Sequence, residues 1–294
     1  MADDSFDHLD GTGRAAAAIA SRPQRIVYPV IAIAVAISWA VLAAMAAGML
    51  PLGPAVSGPG GMLLDLLPDV ALPDLAMRFL ALCLGAAPAG PGGIAQFAAL
   101  TTMWFLMSVA MMLPSAAPMI RTYCEIADTA RAKREAVVHP LVLVAGYLAV
   151  WFAASLGFAA TTLVVGMAAG RALPAPVTGI AAAAALGLAG LYQFSGLKEA
   201  CLKKCRRPFS ILFARWSTRP AKVFRLGLEQ GVWCVGCCWA LMLVMFAIGL
   251  MNLFWMALIG LFTVVEKQLT GRLTTRLAGA ILLVWAAALL VVSW

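Results

Sequence analysis

Histidine is nearly absent from this chain of 294 residues: there are two, His8 close to the start and His139 ahead of an apolar run. Two histidines so placed cannot ligate a haem from both faces inside a helical bundle. No serine, histidine and acid stand together as a nucleophilic set either. Charge is also scarce. Asp, Glu, Lys and Arg make up 12% of residues against 63% apolar, and the mean hydropathy is +0.95, which excludes a soluble globular domain. The acids Asp128, Glu229 and Glu266 fall at the ends of apolar runs, not as a pair in the middle of one, and no enzymatic activity is expected. The chain also lacks the paired C-x-x-C knuckles of a zinc ribbon, an internal repeat, and a linker dividing two domains. Its first residues are not the basic start of a signal peptide.

What remains is long apolar sequence. A span needs about 20 residues to cross ~30 Å of hydrocarbon, and the runs place spans at about 27–49, 95–120, 140–168, 177–197, 230–250, 252–266 and 277–294. The expected fold is an all-α polytopic transmembrane bundle of about seven helices. Residues 1–26, with Asp3, Asp4, Asp7 and Asp10, read as a disordered cytoplasmic tail, and 27–294 as a single transmembrane domain. Residues 62–86, broken by Pro68 and Pro73, read as an amphipathic or re-entrant segment, and the Gly/Pro-rich stretches 51–61 and 85–93 as outer loops. Basic residues collect in alternate loops. With the N-terminus inside, only Arg78 and Arg171 of the 21 lysines and arginines face outward, so the bias places the N-terminus in the cytoplasm and the C-terminus in the periplasm of a bacterial inner membrane. The net charge of +8 thus reflects topology; no aromatic platform accompanies the basic loop, and no nucleic-acid partner is expected.

Five of the seven cysteines lie in two groups, Cys201-x-x-x-Cys205 and Cys234-x-x-Cys237-Cys238. Thiols at i,i+3 or i,i+4 project from one side of a helix, and the loop between the groups is short. Both groups fall at the cytoplasmic face, a reducing compartment where disulfides are disfavoured, beside Lys203, Lys204, Arg206 and Arg207, which favour thiolate. Cys201, Cys205, Cys234 and Cys237 have the spacing for one four-sulfur site, while Cys238, turned about 100° from Cys237, is the expected spare. Cys83 and Cys124, each alone, read as small core hydrophobes.

Methionine adds a second signal. Met103, Met107 and Met111 recur at i, i+4 and i+8, with Met112 beside them and Met119 at the inner end, and Met242, Met245, Met251 and Met256 follow on later spans. Thioethers suit a soft monovalent ion such as Cu(I), though such a stripe also serves as core packing. Pro114 and Pro118 kink the segment just after the stripe. Gly231, Gly236 and Gly249 are read as sites of close helix approach, Lys198 as a snorkelling side chain, and Asn252 as an interhelical hydrogen-bonding group.

Three stretches together resemble a known family. They are Met103-Trp104-x-x-Met107-x-x-Ala110-Met111-Met112-x-Pro114-Ser115; Tyr192-Gln193-x-x-x-Leu197-Lys198-x-x-Cys201-Leu202-x-x-Cys205-Arg206-x-Pro208; and Cys234-Val235-Gly236-Cys237-Cys238-Trp239-Ala240-Leu241-Met242, continuing to Glu266-Lys267. The chain resembles, over about 95–270, the bacterial predicted metal-binding integral membrane proteins of domain of unknown function 2182. The resemblance implies membrane location and metal binding. Family members often carry histidine where this chain has Lys204 and Gln230; where those histidines are ligands, their loss shifts the site here toward all-sulfur coordination or weakens it.

The reading is therefore an inner-membrane protein binding a soft metal, Cu(I) before Zn, through Cys201, Cys205, Cys234, Cys237 and Cys238, with Met103, Met107, Met111, Met112 and Met242 along the path. The expected partners are the lipid bilayer and a copper chaperone or membrane cuproenzyme. Two alternatives stay open: an assembly subunit of a membrane complex whose cysteines merely pack, and a thiol redox protein using Cys234 and Cys237.

Overall fold

Each long apolar run folds as a helix because no water is present in hydrocarbon to satisfy a free backbone. The structure, a computed structural model, describes residues 24–47, 79, 83, 92–169, 179–250 and 252–292. The expected tail up to residue 23, and nearly all of 51–61 and 62–86, lie outside the described residues. Ten helices stand among those described: α1 Gln24–Ala47, α2 Gly92–Ser115, α3 Ala117–Ala132, α4 Pro140–Ala169, α5 Gly179–Gln193, α6 Gly196–Arg206, α7 Pro208–Ala214, α8 Pro220–Ile248, α9 Leu253–Gln268 and α10 Leu273–Val292.

The described residues show fewer than the seven spans expected: among them, five helices (α1, α2, α4, α8 and α10) are long and apolar enough to cross a membrane, or six if α5 and α6, bent by 62°, form one broken span. The difference lies in α9, which has 16 residues and reaches only about 24 Å. Conversely α8, with 29 residues, is about 44 Å long and starts well before residue 230. Its first turns carry Lys222, Arg225 and Glu229, so the cysteines sit deep in the helix.

Helix α8 is central. It packs on α4, α5 and α6, while α10 packs on α5 and α2 joins α1, α4 and α9. The α4–α8 contact is close because Gly146 faces Gly227: a Cβ on Gly146 would collide with the Phe224 carbonyl, and one on Gly227 with the Leu143 carbonyl. Gly231 continues the seam, where a Cβ would come within 2.8 Å of Val150 Cβ. Gly249 does something else. Its φ of 102° ends α8, a left-handed conformation that glycine takes without steric cost. Asn252 then caps α9, its side chain accepting from Trp255 N at 3.3 Å.

Pro114 gives α2 its shape. It has no N–H, so the Ala110 carbonyl loses its helical donor, and Trp39 Nε1 of α1 donates to it at 3.2 Å. Two residues on, the Ala116 amide turns to Leu113 O at 3.1 Å, the tighter i→i−3 pattern common where an α-helix ends. The Met112 carbonyl accepts from Tyr147 Oη at 2.9 Å and Ser115 Oγ at 2.7 Å. Helix α3 then departs as a separate amphipathic element, so the span expected over 95–120 ends at Ser115.

Candidate metal centre

Helix periodicity brings Cys234, Cys237 and Cys238 to one region of α8, and their Sγ atoms all lie within 4.8 Å of one another. All three are buried. Cys237 Sγ is 3.2 Å from Cys238 Sγ and 4.0 Å from Cys205 Sγ on α6, too far for a disulfide, which needs about 2.05 Å. Metal–sulfur bonds of about 2.3 Å place neighbouring sulfurs about 3.8 Å apart in a tetrahedral site, 4.0 Å in a trigonal one and 4.6 Å in a linear one. The Cys205–Cys237 separation already fits. The Cys237–Cys238 pair must open by under 1 Å.

Sequence spacing assigned the membership differently. Cys238, the expected spare, belongs to the trio. Cys201 stands outside it, its Sγ resting where a Cβ on Gly236 would come within 2.7 Å, so Gly236 is a notch for that sulfur. A rotation of about 100° per residue separates Cα–Cβ vectors, but a buried side chain can swing back across that arc, which is how two adjacent cysteines meet. Cys83 and Cys124 are buried singly, as expected, and burial with nearby Asp128 and Glu125 pushes the Cys124 thiol up to about 11.

The surroundings were less visible in the sequence. Lys267 Nζ, at the end of α9, donates to Cys234 Sγ at 3.0 Å and to Ser115 Oγ at 2.7 Å, and Tyr147 Oη lies 3.0 Å from the same sulfur. A buried ammonium beside the thiols complements the charge of a thiolate site. A cavity of about 20 Å³, enough for a water or a single ion, is lined by Ser115, Met119, Tyr147, Cys205, Gln230, Cys234 and Lys267. Gln230, where the resemblance leads one to expect histidine, thus borders the thiols, and its Nε2 has no hydrogen-bond partner. Lys204 does not; its Nζ sits 6.0 Å from the Trp233 ring centroid.

Lys198 is the clearest departure from expectation. It does not snorkel: its side chain is 0% exposed and pairs at 3.0 Å with Glu266, 1% exposed. Gln193 Oε1 also accepts from Lys198 Nζ, and Thr275 Oγ1 donates to Glu266 Oε1 at 2.9 Å. Arg206 adds donors to the Glu266 carbonyl at 3.0 and 2.8 Å and to Gly271 O at 2.9 Å. These bonds tie α6, which carries Cys205, to α9, which carries Lys267. The adjacent charges of Glu266-Lys267 at the end of an apolar helix were the available signal.

The five methionines expected along the path are all interior. Met103, Met107, Met111 and Met112 on α2 and Met242 on α8 are each at most 1% exposed. Cys234, Cys238 and Met242 follow at i, i+4 and i+8 along α8, so thiol and thioether share one face. Met119, on α3, reaches the thiol cavity.

A family model described as PpoB2, copper chaperone, matches residues 101–289. The chain belongs to this family. The match takes in every cysteine and lysine of the centre and continues through most of α10. Neither the curated proteins nor the solved structures gave a match. A copper chaperone family and a buried three-cysteine cluster together point to metal binding, in a chain whose apolar helices suit membrane insertion.

Proposed function

We propose that this protein is a multi-pass membrane copper chaperone of the bacterial inner membrane that takes Cu(I) as cargo at Cys205, Cys234, Cys237 and Cys238 and hands it to a cuproenzyme. The observation that carries the reading is the convergence of Cys234, Cys237 and Cys238, with Cys205 4.0 Å from Cys237. Thiolate and thioether donors select Cu(I), and in the family to which the chain belongs, zinc is the weaker choice of cargo. The protein is not an enzyme. Its chemistry is ligand exchange, in which each sulfur of the acceptor replaces one of this site. The methionines of α2 and α8 supply weaker steps between the thiol site, on the cytoplasmic side with the N-terminus, and the opposite face. Cys201 acts as an outer ligand one turn from Cys205.

Anaerobic titration of the purified chain with Cu(I) against a competing chromophoric chelator tests this. The unaltered protein should bind about one Cu(I) tightly, as expected for a single soft-ligand site, and Cys234→Ala with Cys237→Ala should abolish it. Absence of Cu(I) binding by the unaltered chain, or binding indifferent to both substitutions, would assign the thiols to packing.

A further inference from the structure

A second cavity, of about 100 Å³, lies where the α5–α6 corner meets the start of α10, lined by Gln193, Glu199, Arg206, Arg272, Thr275 and Arg276 among others. Its volume is about that of three waters, which suits a compact tetrahedral group. We propose that this cavity binds a phosphate group, either the phosphodiester of a membrane lipid or free phosphate.

Cations dominate the wall. Glu199 is its one carboxylate, and it is held by Arg272 and by Lys203 at 3.2 Å. Arg206 spends three N–H groups on neutral carbonyls, so its charge is unmatched and two of its five donors remain. Arg276 adds a further guanidinium from the first turn of α10, where the helix dipole also presents its positive end. The independent pointer to a ligand is Gln193, which belongs to the same wall. It is 3% exposed, its Oε1 accepts from Lys198, and its Nε2 is buried with no hydrogen-bond partner. A buried donor without an acceptor is costly, and a small rotation of the amide would bring it to a phosphate oxygen in the cavity. Basic pockets between membrane helices at the cytoplasmic boundary are where anionic headgroups are held. Phe194, Leu197, Leu273 and Leu277 flank the cavity with exposed apolar surface, which an acyl chain would cover.

Native mass spectrometry of the detergent-purified full chain, with phosphatidylglycerol, diacylglycerol or inorganic phosphate added separately, tests the proposal. Phosphatidylglycerol should bind, and Arg276→Gln should weaken it about tenfold, the loss of one charge-assisted contact, with Arg276→Lys recovering part. Inorganic phosphate bound by the unaltered chain and lost in the variant, without lipid binding, supports the site with free phosphate as its ligand. Diacylglycerol binding as well as phosphatidylglycerol, equal binding by Arg276→Gln, or binding of none of the three overturns it. Arg276 is exposed and has no part in the thiol centre, so the variant tests this cavity alone.

Discussion

Glu266→Gln isolates the energetic consequence of the buried ion pair. The substitution keeps the shape and an oxygen for Thr275 and Lys198 but removes the charge facing a Lys198 that is fully buried. At 3.0 Å and an effective dielectric of about 20, the attraction is about 5–6 kcal/mol. Desolvation of both ions offsets most of it, so the pair adds little over an apolar pair, while removing one partner leaves an uncompensated buried charge that costs about 3–5 kcal/mol. Chemical denaturation in a fixed detergent should therefore show Glu266→Gln and Lys198→Met each strongly destabilised. The double variant Lys198→Met with Glu266→Leu should recover much of the loss, short of full recovery because Gln193 and Thr275 then lack partners. Cu(I) binding should fall and recover with stability, since the pair ties the helix of Cys205 to that of Lys267. A Glu266→Gln protein within about 1 kcal/mol of wild type, the range of solvent-exposed pairs, would refute the reasoning by showing that water reaches the pair.

Lys267→Met removes the cation against Cys234 together with its bond to Ser115; with several thiolates around one Cu(I) the buried charge becomes more negative, and competition titration should read an affinity about tenfold weaker. Gly227→Ala drives a methyl into the Leu143 carbonyl and should cost about 1–3 kcal/mol or more, seen as a lower thermal midpoint; Gly146→Ala acts on the same contact, so the two losses should not add. Trp39→Phe forfeits the bond to Ala110 O, worth about 1 kcal/mol by the same measurement. In maleimide labelling at pH 8, Cys124, buried and with its thiol raised to about 11, should stay unmodified while the half-buried Cys205 reacts.

Composition and run length alone determined that this is an all-helical chain with membrane-length helices, because hydrocarbon admits no other way to satisfy so apolar a backbone. The cysteine spacing also pointed to two helical segments as the carriers of the thiols, since i,i+3 and i,i+4 neighbours share a face whatever packs against it. Periodicity does not encode the end of a helix that breaks for tertiary reasons, so the end of α2 at Ser115 escaped it, whereas the short reach of α9 was already visible in its run length. Nor does spacing say which sulfur turns inward: Cys238 joins the trio and Cys201 leaves it because Gly236 opens a notch that only the α6–α8 contact creates. The sharpest case is charge. In sequence, Lys198, Glu266 and Lys267 are ordinary residues at the ends of apolar runs, and a lysine there has two low-energy outcomes, reaching water or finding a buried partner. Local sequence cannot choose between them, because the choice depends on a carboxylate 68 positions away for Lys198, and on a thiol 33 positions away for Lys267. Only the packing of α6, α8 and α9 into one bundle brings those partners within 3 Å and makes a charged frame for the thiols.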